Sequence, residues 1–112
     1  VMFDGEKMLQ AVMNIITNAI RHADTQVEVT AFTENKQFQI QITDDGEGID
    51  EELLKKLFHR FVKGESGETG LGLAIARAIV ERSGGSIKAE NAPYGGARFT
   101  IIFTEFEKNN DY

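Results

Sequence analysis

Between residues 37 and 43 apolar and polar side chains alternate, with Phe38, Ile40 and Ile42 on one side and Gln39 and Gln41 on the other. A period of two predicts a half-buried strand. Residues 25–33 repeat the pattern, with Val27, Val29 and Ala31 set against Glu28 and Thr30. Glu34-Asn35-Lys36 between them reads as a turn, so the two runs form an antiparallel hairpin. Two further strands are predicted over residues 86–91 and 97–105, joined by a turn containing Pro93, Gly95 and Gly96. In the last strand Phe99, Ile101 and Phe103 face one way and Thr100 and Thr104 the other. Residues 1–3 suit a short edge strand.

Elsewhere the period changes to that of a helix. After a cap at Asp4 or Gly5, residues 6–23 place Leu9, Val12, Met13, Ile16, Ala19, Ile20 and Ala23 on one expected buried face. Lys7, Gln10, Asn14, Thr17, Asn18 and Arg21 take the other. Asp50 caps a short helix over residues 51–58, with Leu53, Leu54, Leu57 and Phe58 inward. A third helix over residues 71–83 carries Leu71, Ile75, Ala78 and Ile79 as its buried stripe and stops at Gly84-Gly85. Residues 63–69 hold too few apolar groups to pack firmly and read as a mobile lid. Each strand has one apolar face and each helix one stripe. The economical packing is an α+β two-layer sandwich, a mixed and mostly antiparallel sheet with three helices on one face. Residues 1–106 form that domain, and 107–112 a polar tail.

The 112 residues suffice for one core and are too few for two. No apolar run approaches the roughly 20 residues of a membrane helix. With no cysteine, thiolate and disulfide chemistry are excluded. A net charge of −6 argues against a nucleic-acid surface. It also means that a polyanionic ligand needs local cations, bound metal or helix ends. The abrupt start before a helix suggests a domain cut from a longer protein.

Three features carry candidate chemistry. Asp44-Asp45-Gly46-Glu47-Gly48-Ile49 follows the central strand: its glycines allow a turn and a close approach to a flat ligand, and Asp45 offers acceptors to an amino group such as that of adenine. A surface turn is the bland alternative for such residues. Thr69-Gly70-Leu71-Gly72-Leu73 opens a helix, whose free N–H groups and dipole favour phosphate. Asn14 and Asn18 stack one helical turn apart, and two mid-helix asparagines are poor helix formers. Their amide oxygens suit a hard cation, Asn18 being nearer the phosphates, while Arg21 is placed to meet a phosphate oxygen.

Together these residues resemble a known family. The run from Asn14 through Asn18 to Arg21-His22 looks like the N box of sensor histidine kinases, and Asp45-Gly46-Glu47-Gly48-Ile49 like their G1 box. Phe58-His59-Arg60-Phe61 is similar to the F box, and Gly70-Leu71-Gly72-Leu73-Ala74 to the G2 box. Four boxes in order cover almost the whole chain. The resemblance implies the ATP-binding catalytic domain of a histidine kinase, with the Bergerat fold.

It also implies roles. Asp45 is expected at the adenine amino group with Gly46, Gly48 and Ile49 beside it, Asn18 on Mg²⁺, and Asn14 next to Asn18. Arg21, His22 and Lys63 are expected near phosphates or ribose, with Asn14, Arg21 and Lys63 as the catalytic set. Phe61, Thr69, Gly70, Leu71, Gly72, Leu73 and Thr100 complete the expected nucleotide contacts. Val62 replaces a commoner aromatic, and the lid is shorter than many in the family. ATPase relatives carry a Glu at Asn14, and Asn is no general base, which favours transfer to a nucleophilic imidazole over hydrolysis. The acceptor histidine is expected on a separate dimeric helical hairpin, because His22 and His59 both sit in nucleotide boxes. A monomeric domain is expected, from a homodimeric kinase anchored in the membrane with this domain on the cytoplasmic side, serving a response regulator and no nucleic acid. The rival readings are an ATPase of the same fold driving conformational change and a degenerate docking module.

Overall fold

The computed structural model describes residues 5–57 and 69–104, and of residues 69–71 the backbone alone. The order is α1 (Gly5–His22), β1 (Val27–Glu34), β2 (Gln37–Asp44), α2 (Glu51–Lys56), α3 (Thr69–Arg82), β3 (Gly85–Asn91) and β4 (Ala97–Thr104). The strands form one sheet in the order β1-β2-β4-β3, each described neighbour antiparallel. The expected strand at residues 1–3, the cap Asp4, the F-box residues 58–61, Val62, Lys63 and the tail lie outside the described residues.

Alternation does what it predicts in the sheet. Val29, Ile42, Phe99 and Ala89 stand in one row across the four strands, and Ala31, Ile40, Ile101 and Ile87 in the next. Both rows face the helices, and Ile42, Phe99 and Ile101 are fully buried. Asn35 and Lys36 both have positive φ, the two-residue turn whose twist matches that of a hairpin. At the α2 start, Asp50 accepts a hydrogen bond from the Glu52 amide, the expected cap.

Two helix faces are rotated from expectation. The buried face of α1 is Met8, Ala11, Ile15, Asn18 and Ala19, whereas Leu9 and Ile20 are each 62% exposed and Met13 is also exposed. The helix is apolar around more than half its girth, and the side against α3 and the sheet is the one it buries. In α3 the core positions are Leu73, Ala76, Ile79 and Val80, with Ile75 and Ala78 turned outward. Small and apolar residues almost surround that helix, so spacing alone selects no face.

Candidate functional site

The site begins where β2 ends. The strand runs one residue past Thr43, and alternation turns Asp44 to the same side as Ile42, beneath the helices. Asp44 is only 4% exposed. Its Oδ1 accepts the Gly46 amide at 2.8 Å and the Ala97 amide at 3.3 Å. Among the described residues no donor reaches Oδ2. The chain is pressed against Asp44 from the other side by Gly96, at φ +83, where an added Cβ would lie 1.9 Å from the Asp44 carbonyl oxygen.

Asp45 points the opposite way and is already engaged. Its Oδ1 accepts the backbone amides of Asp24, Thr25 and Gln26 at 2.8, 2.9 and 3.1 Å. Its Oδ2 takes the Thr25 amide and a short bond from the Thr25 hydroxyl. A carboxylate has about four acceptor sites, and here they are filled. The expectation that Asp45 receives an adenine amino group is therefore corrected: it fastens the exit of β2 to the segment leaving α1. The Thr25 hydroxyl, with the Thr25, Gln26 and Asp24 amides behind it, holds the Asp45 carboxyl well below the usual carboxylate range.

That shift has a pH consequence. With its folded value depressed, Asp45 binds its proton more weakly in the folded chain than in the unfolded one. Its contribution is present above the ordinary value of 3.8 and lost as pH falls below it. The thermal midpoint of Asp45→Asn is expected to lie below that of the parent by a constant amount above about pH 5. The gap should narrow as the solution is acidified beyond that, as thermal melts at stepped pH will show.

A cleft of about 1090 Å³ opens between the end of α1, residues 44–50, α2 and the start of α3. Asn18, Arg21 and His22 line it from α1, Asp44, Gly46, Gly48 and Ile49 from the loop, and Leu73 from α3. Its apolar floor adds Leu53, Leu57, Ala97 and Phe99, and Lys56 stands at the rim. Asp24, Asp45, Glu47, Asp50 and Glu52 make the surround acidic. A polyanion entering it needs a countercharge. Asn18 is 8% exposed, and among the described residues no hydrogen-bond partner reaches its buried Oδ1. Such an orphan costs roughly 1–3 kcal/mol unless a ligand satisfies it, and a hard cation is a fitting partner for an amide oxygen.

The other expected site residues divide. Asn14 does not line the cleft; its Nδ2 donates to the Gly72 carbonyl at 3.3 Å, tying α1 to α3. Helix α3 starts at Thr69, so Gly70 and Gly72 lie within its first turn, whose N–H groups lack intrahelical partners. Among the described residues outside its own helix turn, no atom lies within 4 Å of where a Cβ at Gly72 would stand. The side chains of Thr69 and Leu71 are not described, and Phe61 and Lys63 lie outside the described residues. Thr100 is corrected: it is fully buried on the far face of the sheet, paired across from Gln41 and Lys88, away from the cleft. Strand alternation already placed it opposite Phe99. The reading from sequence missed Asp44, Leu53, Lys56, Ala97 and Phe99, of which Asp44 and Phe99 were accessible from the same alternation.

The antiparallel sheet with helices on one face, and a cleft between the glycine-bearing loop after β2 and a glycine-led helix, have the arrangement of an ATP-binding domain of the Bergerat fold. The family profile described as "Histidine kinase-, DNA gyrase B-, and HSP90-like ATPase" matches residues 3–107, and the chain belongs to that family. Among curated relatives it is similar to the heme sensor protein HssS of Staphylococcus saprophyticus, 39% identical over 109 residues, covering 93% of this chain and 24% of that one. It is also similar to the sensor histidine kinase CpxA of Escherichia coli, 37% identical, covering 88% of this chain and 23% of CpxA. The chain thus spans about a quarter of the length of these relatives. Among solved structures, the mycobacterial sensor histidine kinase MprB superposes with a TM-score of 0.82 at 27% identity, over 93% of this chain and 76% of that one. The nucleotide-free catalytic domain of histidine kinase ThkA gives 0.79 at 30% identity, over 90% and 68%. The domain is a catalytic domain of the sensor histidine kinase type, and ATP is the ligand its family implies. Among the described residues no helix is long and apolar enough to cross a membrane.

Proposed function

We propose that the cleft holds Mg²⁺-ATP, with the adenine amino group at Asp44 and the phosphates towards Asn18, Arg21 and the first turn of α3. The observation that carries this is one cleft lined both by a buried carboxylate, Asp44, and by the buried Asn18 amide oxygen, which has no partner among the described residues. The ShkA structure solved with AMPPNP, 26% identical with a TM-score of 0.75 over 88% of this chain and 21% of that one, supports a nucleotide on this fold. Asn18 would hold the metal, which neutralises phosphate charge when bound. The chain's own part is placement: Leu53, Ile49 and Phe99 exclude water from the base, Arg21 and the helix amides orient the phosphates, and Asn14 fixes α3 against α1.

The same reading makes the acceptor a histidine on a separate helical segment of a longer, membrane-anchored, homodimeric kinase, which then supplies a response-regulator aspartate. Asn14 cannot take a proton from water as a carboxylate would, which favours transfer over hydrolysis. Incubated with γ-labelled ATP, the domain is expected to label the histidine-bearing segment of the full-length kinase and to release little phosphate by itself. Steady phosphate release by the domain alone would contradict transfer and favour an ATPase. Asn18→Ala is expected to remove the Mg²⁺-dependent part of ATP affinity, measured by titration with and without the metal. An equal loss in both titrations would remove Asn18 from the metal.

A further inference from the structure

One exposed side chain outside the cleft makes a pair of bonds that the reading of the site leaves unused. Asn91, the last residue of β3, accepts the Ile49 amide on Oδ1 at 2.7 Å and donates from Nδ2 to the Ile49 carbonyl at 2.9 Å. The two residues are 42 positions apart. A side-chain amide is chemically a peptide group, so Asn91 pairs with Ile49 as a neighbouring strand would. The fit is close: Gly48, at φ +89, would place a Cβ 2.8 Å from Asn91 Oδ1 and 3.5 Å from the Gly96 carbonyl. The residues after Asn91 are themselves fixed by the bonds from Ala92 N to Gly96 O at 2.9 Å and from Gly95 N to Ala92 O at 3.2 Å. Asp45 anchors the beginning of the loop, and Asn91 anchors its end.

We propose that Asn91 is a positioning residue for nucleobase recognition. By holding the Ile49 peptide, it fixes the apolar side chain that lines the base end of the cleft and sets its distance from Asp44 on the opposite limb of the loop. This rests on the assignment of the base to Asp44. Without Asn91 the loop from 46 to 49 keeps its attachment at Asp44 but loses the one at Ile49. The cleft can then widen, and a purine whose edge does not match Asp44 is rejected less strongly.

The test has two parts. Amide hydrogen exchange on the nucleotide-free domain should show the Ile49 N–H protected in the parent and unprotected in Asn91→Ala. Protection that survives the substitution overturns the proposal, whatever the nucleotide does. Competition of ATP and GTP against a fluorescent nucleotide should then show ATP affinity lowered about tenfold in Asn91→Ala, the cost of re-ordering the freed loop when the base binds. GTP affinity should change little, so the ratio between them narrows. Asn91→Asp keeps the acceptor for the Ile49 amide but sets a carboxylate oxygen against the Ile49 carbonyl, so it should not restore the parent's ATP-to-GTP ratio. An unchanged ATP-to-GTP ratio, whether both affinities fall together or neither moves, would make Asn91 merely structural and sink the idea. A parent that binds no ATP would sink the assignment of the base to Asp44 instead, with the exchange result still deciding the Asn91 bond.

Discussion

Asp44→Asn is expected to lower ATP affinity by roughly 100-fold, about 3 kcal/mol, while Asp45→Asn leaves it close to that of the parent. The Asn variant at 44 retains an Oδ1 for the Gly46 and Ala97 amides, so the loop keeps its attachments. What changes is the second atom, which turns from acceptor to donor and faces the donor group of adenine. At 45 the loss falls on bonds to residues 24–26, and is read in thermal stability. The two carboxylates are adjacent in sequence and bond on opposite sides of the chain. Calorimetric titration of both variants, run well below their thermal midpoints, separates them. A large loss of affinity at 45 with none at 44 would reverse the assignment.

Gly96→Ala is expected to destabilise the domain by about 3–5 kcal/mol, a large part of the total stability of a chain this size. Two effects add. The position has φ +83, where a side chain is strained by about 1–2 kcal/mol. The new methyl would also lie 1.9 Å from the Asp44 carbonyl oxygen and 3.0 Å from the Asp45 Cα. Those neighbours are backbone and have no rotamer to yield. Relief requires β4 to part from the end of β2, which takes the Ala97 amide away from Asp44. Denaturant unfolding should show the lost stability, and the folded fraction that remains should bind ATP more weakly. Stability and affinity both equal to those of the parent would contradict the close approach of Gly96 to the Asp44 carbonyl.

The strand residues were largely legible because alternation leaves little freedom. Phe38, Ile40 and Ile42 predicted the inner face of β2, and carrying the period one residue further would have put Asp44, not Asp45, inside. Reading the strand to Thr43 hid this, since a strand's last residue is the least certain part of it. Thr100 went astray in the same way, as Phe99 and Ile101 on either side of it face the cleft and the core. The faces of α1 and α3 were less legible because both helices are apolar over so much of their surface. Only the position of α1 against α3 decides that Ile15 is buried and Ile20 is not. Asn91 carried no signal of its own, and Gly96 only that of a turn. Their meaning comes from the β3–β4 turn lying against the loop after β2, a juxtaposition that no local pattern encodes.

A crystal structure of the domain with Mg²⁺ and a non-hydrolysable ATP analogue tests the central claim most directly. The adenine amino group should lie within hydrogen-bonding distance of Asp44 Oδ2, with Asn18 Oδ1 on the metal and Asp45 still bound to residues 24–26. Adenine seated against Asp45, or a nucleotide held outside the cleft between α1, the loop and α3, would contradict it.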